Sequence, residues 1–144
     1  MTTISCARTY DAPALAELCG ALGYPASRQQ IVARLAAIES APSHKVLVAE
    51  DDSGRVVGWL HVAQCVALTE DDGAEILGFI VDAQLRGYGI GASLLRAATA
   101  WAHARGAGYL RVRSRVEREG AHRFYEREGY ARSKTQHVFR RSLG

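Results

Sequence analysis

The chain has 144 residues, which suits one compact domain with one hydrophobic core. A composition of 48% hydrophobic and 23% charged residues is that of an ordinary globular protein, arguing against disorder or a fibrous repeat, and no apolar run reaches the roughly 18 residues of a membrane span. The net charge of +3 is unevenly spread: residues 1–85 hold 5 Lys+Arg against 11 Asp+Glu, whereas residues 86–144 hold 13 against 4.

Met1 to Tyr10 lacks a basic segment followed by an apolar stretch, so no secretory signal is expected, and the unpaired cysteines lead us to expect a cytoplasmic location. Thr2 to Arg8 is short and partly β-branched, an edge strand by pattern. Asp11 is placed to cap a helix over Pro13 to Leu22, with Ala14, Leu15 and Leu18 on its apolar face. Gly23-Tyr24-Pro25 breaks that helix. Ser27 followed by Gln30 has the spacing of a capping box for a second helix carrying Ile31, Leu35 and Ile38. Lys45 to Glu50 and Arg55 to Val66 read as strands joined by a turn at Asp51-Asp52-Ser53-Gly54, and Glu75 to Asp82 as a further strand. A glycine cluster at 87–91 then opens a long helix whose apolar positions are Ile90, Leu94, Leu95, Ala98 and Trp101, with Gly106 as its stop. Tyr109 to Arg113 is a strand, Ala121 to Glu128 a short helix ended by Gly129, and Tyr130 to Arg140 is expected to supply the closing strand or strand pair. The order βααβββαβαβ describes an α/β chain with a mixed sheet and helices on both faces. Cys6, Cys19 and Cys65 are widely spaced without a CxxC pair, so neither a disulfide frame nor a zinc site is expected.

The segment Val81-Asp82-Ala83-Gln84-Leu85-Arg86-Gly87-Tyr88-Gly89-Ile90-Gly91-Ala92 leads from a strand to a helix N-terminus. Unpaired amides and aligned peptide dipoles favour an anion there, and glycines admit positive φ and close approach. A pyrophosphate is the natural guest. The Gly-Lys-Ser/Thr of a nucleotide P-loop is absent. Gly87-x-Gly89-x-x-Ala92 has dinucleotide spacing, but five residues separate Val81 from Gly87, whereas a dinucleotide turn follows its strand almost directly.

The same stretch resembles the acetyl-CoA pyrophosphate loop of the GNAT superfamily, whose pattern Arg/Gln-x-x-Gly-x-Gly/Ala is met by Arg86, Gly89 and Gly91; Ala83 stands where members commonly have proline. About thirty residues on, Ala121-His122-Arg123-Phe124-Tyr125-Glu126-Arg127-Glu128-Gly129-Tyr130 is similar to the second family motif, Ala-x-x-Phe-Tyr-Glu-x-x-Gly-Phe. Arg118 replaces the asparagine that many members carry three residues before the alanine. The resemblance implies a single GNAT acetyltransferase domain over residues 1–144 and an acetyl-CoA-dependent N-acetyltransferase acting on a primary amine of a small molecule or peptide, without a metal.

It also implies roles. The loop amides of Leu85 to Ala92, with Arg86, Gly87, Tyr88, Gly89, Ile90 and Gly91 among them, would hold the CoA pyrophosphate. Phe79, Ile80 and Val81 would pair their backbone with the pantetheine arm, and Arg118, Ala121 and Phe124 would complete the CoA contacts. Tyr125 matches the tyrosine that protonates the leaving thiolate, a task suited to a phenol of pKa near ~10. Glu75, six residues before Val81, matches a catalytic glutamate of some members; His61 and His137 are alternative bases. Gly78 inside its strand signals a bulge or a close approach. Glu50, Asp51, Asp71 and Asp72 would attract a cationic amine, and the basic second half suits the phosphates of CoA. Acceptor choice would fall to Leu22–Ser27, including Tyr24, and to Ser133–His137. A homodimer is compatible with this reading, a membrane partner is not expected, and the basic half lacks the aromatic interleaving of a single-strand nucleic-acid binder. The second reading is a non-catalytic acyl-CoA-binding module on the same fold.

Overall fold

The computed structural model describes Thr2–Gly144, and the chain forms two compact units, Met1–Val112 and Arg113–Gly144. In the first, β1 (Thr3–Cys6), α1 (Ala12–Leu22), α2 (Arg28–Glu39), β2 (His44–Glu50), β3 (Val56–Ala67), β4 (Glu70–Val81), α3 (Ile90–Ala104) and β5 (Leu110–Val112) follow in chain order. The five strands lie in the order β1-β2-β3-β4-β5. All neighbours are antiparallel except β4 and β5, which run parallel because α3 carries the chain back between them.

Local chemistry explains the boundaries. The capping box of α2 forms as its spacing predicts: Gln30 N–H donates to Ser27 Oγ at 3.1 Å and Ser27 N–H to Gln30 Oε1 at 2.9 Å. Asp11 sits at the N-cap of α1, but its Oδ2 accepts the Arg8 N–H at 2.8 Å instead of capping the helix. The β2–β3 turn closes on Asp51, whose Oδ1 accepts from Ser53 N–H, Ser53 Oγ and Arg55 N–H, with Gly54 at φ +84. The strand predicted from Glu75 begins earlier, at Glu70, because the tight connection after Ala67 lets β4 pair with β3 from Ala67↔Glu70 onward.

Register separates the two faces of the sheet. Val46, Val48, Val56 and Ile80 pack with Leu15, Leu18, Ile31 and Leu35 of α1 and α2, and Trp59 lies against this cluster. The alternate positions, including Leu47, Leu60, Val62 and Ile76, form the other core layer with Leu94, Leu95 and Ala98 of α3, while Trp101 stays at the margin beneath Arg105. Leu60 and Leu94 are among the fully buried side chains; each contributes about 2 kcal/mol of transfer free energy.

In the second unit α4 (Glu119–Arg127) ends at Gly129, which takes φ +94. The closing strand expected over Tyr130–Arg140 is not formed: residues 130–144 carry neither helix nor strand. Their pattern gives the reason. Arg132, Lys134, Arg140 and Arg141 interrupt it, and the apolar pair Val138 and Phe139 is adjacent, not alternating, so no single face is available to bury.

Candidate active site

The first component is the join of β4 to α3. β3 and β4 slip register between His61 and Val62: Gly78 faces His61 and Ile76 faces Val62, so Leu77 is the extra residue of a bulge and is exposed. At the same place the parallel ladder of β4 with β5 ends, its last pair being Ile76↔Val112. Asp82 N–H donates to Val57 O, which fixes the alternation of the antiparallel ladder: Ile80 and Gly78 exchange bonds with β3, while Phe79 and Val81 turn their backbone groups to the opposite edge. A bulge adjoins Gly78, and the Trp59 ring packs over it, so that an added Cβ would stand 2.5 Å from Trp59 Cη2.

Beyond Val81 the chain makes a 3₁₀ turn at Ala83–Leu85, held by Asp82, whose Oδ1 accepts from Gln84 N–H and whose Oδ2 pairs with Arg55. Arg86 is extended and exposed. Gly87 and Gly89 take φ +90 and +80, and a Cβ on either would meet nothing within 4 Å. Gly89 is the N-cap of α3 and has no side chain with which to cap the first-turn amides of Ile90, Gly91 and Ala92. The Ile90 side chain is buried in the core, so only its backbone faces this end. An open left-handed turn at the head of a 15-residue helix fits a phosphate group.

The second component is a polar row on the α1–α2 face of the sheet. His44, Ala63, Glu75 and Arg111 lie opposite one another across β2, β3, β4 and β5. Arg111 Nε donates to Glu75 Oε1 at 2.8 Å, and its Nη1 reaches Glu70 Oε1 at 3.1 Å. These two carboxylates raise the proton affinity of the guanidinium, so it stays charged. In the adjoining row His61 stands between Val46 and Gly78, and its Nε2 is 2.9 Å from Nδ1 of His44. Burial, reinforced by the neighbouring His44, pulls the His61 imidazole down to about 4.

The second unit, taken by itself, carries the other predicted residues. α4 sets Phe124 and Tyr125 edge to face at 5.5 Å, and Tyr125 against Tyr130 at 5.8 Å. Tyr130 N–H donates to Tyr125 O at 2.9 Å, closing the helix. Burial pushes the Tyr125 phenol above its usual value; Arg118 opposes the rise and Tyr130 adds to it. Ala121 and Phe124 are half-buried, and Arg118, at the N-cap of α4, is exposed. His137 lies in the exposed tail and Tyr24 is exposed beyond α1. Asp51 is committed to its turn.

The site contains two residues that sequence reasoning did not single out. Arg111 is found only through the parallel pairing of β5 with β4. His44 could have been found by counting outward from the Asp51–Gly54 turn, which brings it diagonal to His61.

A left-handed glycine turn follows a bulged strand on a five-stranded mixed sheet, an architecture shared with acetyltransferase structures. The chain belongs to the GNAT acetyltransferase family, whose model, described as Acetyltransferase (GNAT) family, matches residues 12–130. Among solved structures it is similar to the aminoglycoside 6'-N-acetyltransferase AAC(6')-Ih from Acinetobacter baumannii, with 16% identity, 100% of both chains covered and a TM-score of 0.85. A transcriptional regulator from Bacillus halodurans aligns at 24% identity over 97% of this chain and 99% of that one, with a TM-score of 0.87. AAC(6')-Iy, solved with the bisubstrate analogue CoA-S-monomethyl-acetylneamine, aligns at 15% identity over 99% of each chain, with a TM-score of 0.86. No curated protein sequence matches this chain. Among the described residues no helix is long and apolar enough to cross a membrane.

Proposed function

We propose that the protein transfers the acetyl group of acetyl-CoA to a primary amine of a small molecule or peptide. The observation that carries this reading is the β4–α3 join: the bulge at Leu77, the end of the β5 ladder at Ile76, and the left-handed Gly87 and Gly89 before α3. AAC(6')-Iy, with a CoA bisubstrate analogue bound on the same fold, supports acetyl-CoA as the donor. In this reading the amides from Leu85 to Ala92 take the pyrophosphate. The backbone of Phe79 and Val81 takes the pantetheine arm as an added strand, and an amide there polarises the thioester carbonyl. Arg118, Ala121 and Phe124 supply the remaining CoA contacts.

The amine nitrogen attacks the thioester carbonyl, the new C–N bond forms as the C–S bond breaks, and Tyr125 gives its proton to the leaving thiolate. A phenol held above its ordinary value remains a donor throughout the neutral range. Glu75 has Oε1 committed to the Arg111 guanidinium, so we assign it to drawing in and orienting the cationic amine instead of taking its proton. Much of the acceleration comes from holding amine and thioester in attack geometry.

The test is calorimetric titration with acetyl-CoA, with NADP as control, followed by thiol-release assays over a panel of polyamines, aminoglycosides, amino acids and peptides. Saturable acetyl-CoA binding with amine-dependent thiol release establishes the reading. Binding without release for any amine would leave a non-catalytic acyl-CoA module, and binding of NADP or of neither ligand would overturn the loop assignment.

A further inference from the structure

Amine acetylation needs somewhere for a proton to go, because an ammonium must lose one before its nitrogen can attack. The structure holds a pair of imidazoles arranged for this. His44 Nδ1 and His61 Nε2 are 2.9 Å apart with ring centroids 5.2 Å apart, a separation that one bridging proton spans while each ring keeps its other nitrogen for a second bond. Among the described residues no third His, Cys, Asp or Glu completes a metal-holding group with them.

Position gives the pair a direction. His61 faces Gly78, over which the Trp59 ring lies, immediately beside the bulge at Leu77 and the end of the β4–β5 ladder. His44 lies at the start of β2, past the end of β1: the β1–β2 ladder stops at Cys6↔Leu47, and Ala7 N–H reaches only to Val46 O. One ring therefore stands in register with the bulged end of β4, and the other lies past the end of β1.

We propose that His61 takes the proton of the acceptor amine at Nδ1 and passes the proton on Nε2 to Nδ1 of His44, which releases one from its own Nε2 to water. This rests on the acetyl-transfer reading above. For each ammonium acetylated the amine loses two protons: one leaves through the relay before attack and one enters solvent after the C–N bond has formed. Tyr125 gives one to the thiolate and recovers one from solvent, so one proton is released in net. His61 is the catalytic group of the pair and His44 a positioning and relay residue.

The surroundings suit the task. Of the groups near His61, Glu75 on β4 and Arg111 on β5 are tied to each other, Cys65 is on its own strand, and the α1–α2 layer contributes Cys19 as the titratable side chain packed on this core. None of these shifts His61 by its charge; His44 does. Charge on one ring opposes charge on the other, so the pair accepts one extra proton and resists a second. After each transfer the pair is neutral with both tautomers reversed, and it resets when His61 Nδ1 loses a proton to solvent, the bridging proton returns to His61 Nε2 and His44 Nε2 regains one from water.

The experiment compares the wild type with His61→Gln and His44→Gln in thiol-release assays from pH 5 to pH 9, with acetyl-CoA affinity as the check on folding. It is joined by long-range proton–nitrogen NMR of the imidazoles. His61→Gln is expected to lower kcat about 10²-fold and His44→Gln about 10-fold, with acetyl-CoA affinity within twofold of wild type. Both should move the acid limb of the profile, and NMR should show a shared proton that His44→Gln abolishes. If His61→Gln disturbs folding, His44→Gln at the strand end decides. Wild-type turnover with unchanged rates and profiles in both variants would overturn the relay and leave acetyl transfer standing. A shared proton in a protein that binds acetyl-CoA but acetylates no amine would overturn the acetyl-transfer reading, and the relay with it.

Discussion

Replacing Gly89 separates two physical effects at one position, backbone strain and charge. Its φ of +80 lies in the left-handed region, and a Cβ there meets nothing within 4 Å, so any cost of substitution is backbone strain and not a clash. For Gly89→Ala that strain is about 1–2 kcal/mol, which lowers Tm by roughly 4 °C per kcal/mol for a chain of this size. Gly89→Asn and Gly89→Asp share a shape and both tolerate this conformation better than alanine, so their unfolding temperatures should be similar. They differ in one charge. A like charge about 4–6 Å from a bound pyrophosphate, at the effective dielectric of a protein surface, is worth about 3 kcal/mol. Gly89→Asp should therefore bind acetyl-CoA about 10²-fold more weakly than Gly89→Asn at low salt, the gap narrowing as salt shortens the Debye length from about 10 Å to about 3 Å. Calorimetric titration at 0.1 M and 1 M salt, with thermal unfolding of the ligand-free proteins, measures both effects. Equal affinity of the Asn and Asp variants would refute the placement of a phosphate at this turn.

Three further outcomes are expected. Tyr125→Phe should lower kcat about 10²-fold with little change in acetyl-CoA affinity, and the wild-type alkaline limb should lie above pH 10 because burial raises the phenol; retained activity removes Tyr125 from the mechanism. Gly78→Ala drives a methyl into the Trp59 ring, forcing it to shift at a cost of about 1–3 kcal/mol, visible as a lower Tm and a changed tryptophan emission. His61 is depressed to about 4 in the fold against 6.5 in the open chain, so the unfolded state binds its proton first as pH falls. Stability is then complete above pH 6.5 and is lost between there and pH 4, by about 2 kcal/mol after solvent screening, and His61→Gln should flatten that part of the denaturation profile.

The local features of this protein were legible in its sequence because they depend on neighbours a few residues away. The capping box at Ser27 and Gln30, the Asp51–Gly54 turn, the left-handed Gly87 and Gly89, and the apolar stripe of α3 each follow from spacing alone. So did the two motifs that identify the family. Pairing between strands is another matter, because a register is set by the whole buried face and not by the residues that end up opposite each other. Only the tertiary structure decides that the bulge falls at Leu77, that Arg111 engages Glu75, and that the imidazoles of His44 and His61, seventeen residues apart in sequence, lie 2.9 Å from each other. The C-terminal segment shows the same limit from the other side. Tyr130–Arg140 has residues a strand tolerates, but a strand exists only where a ladder and a buried face support it, and local preference provides neither.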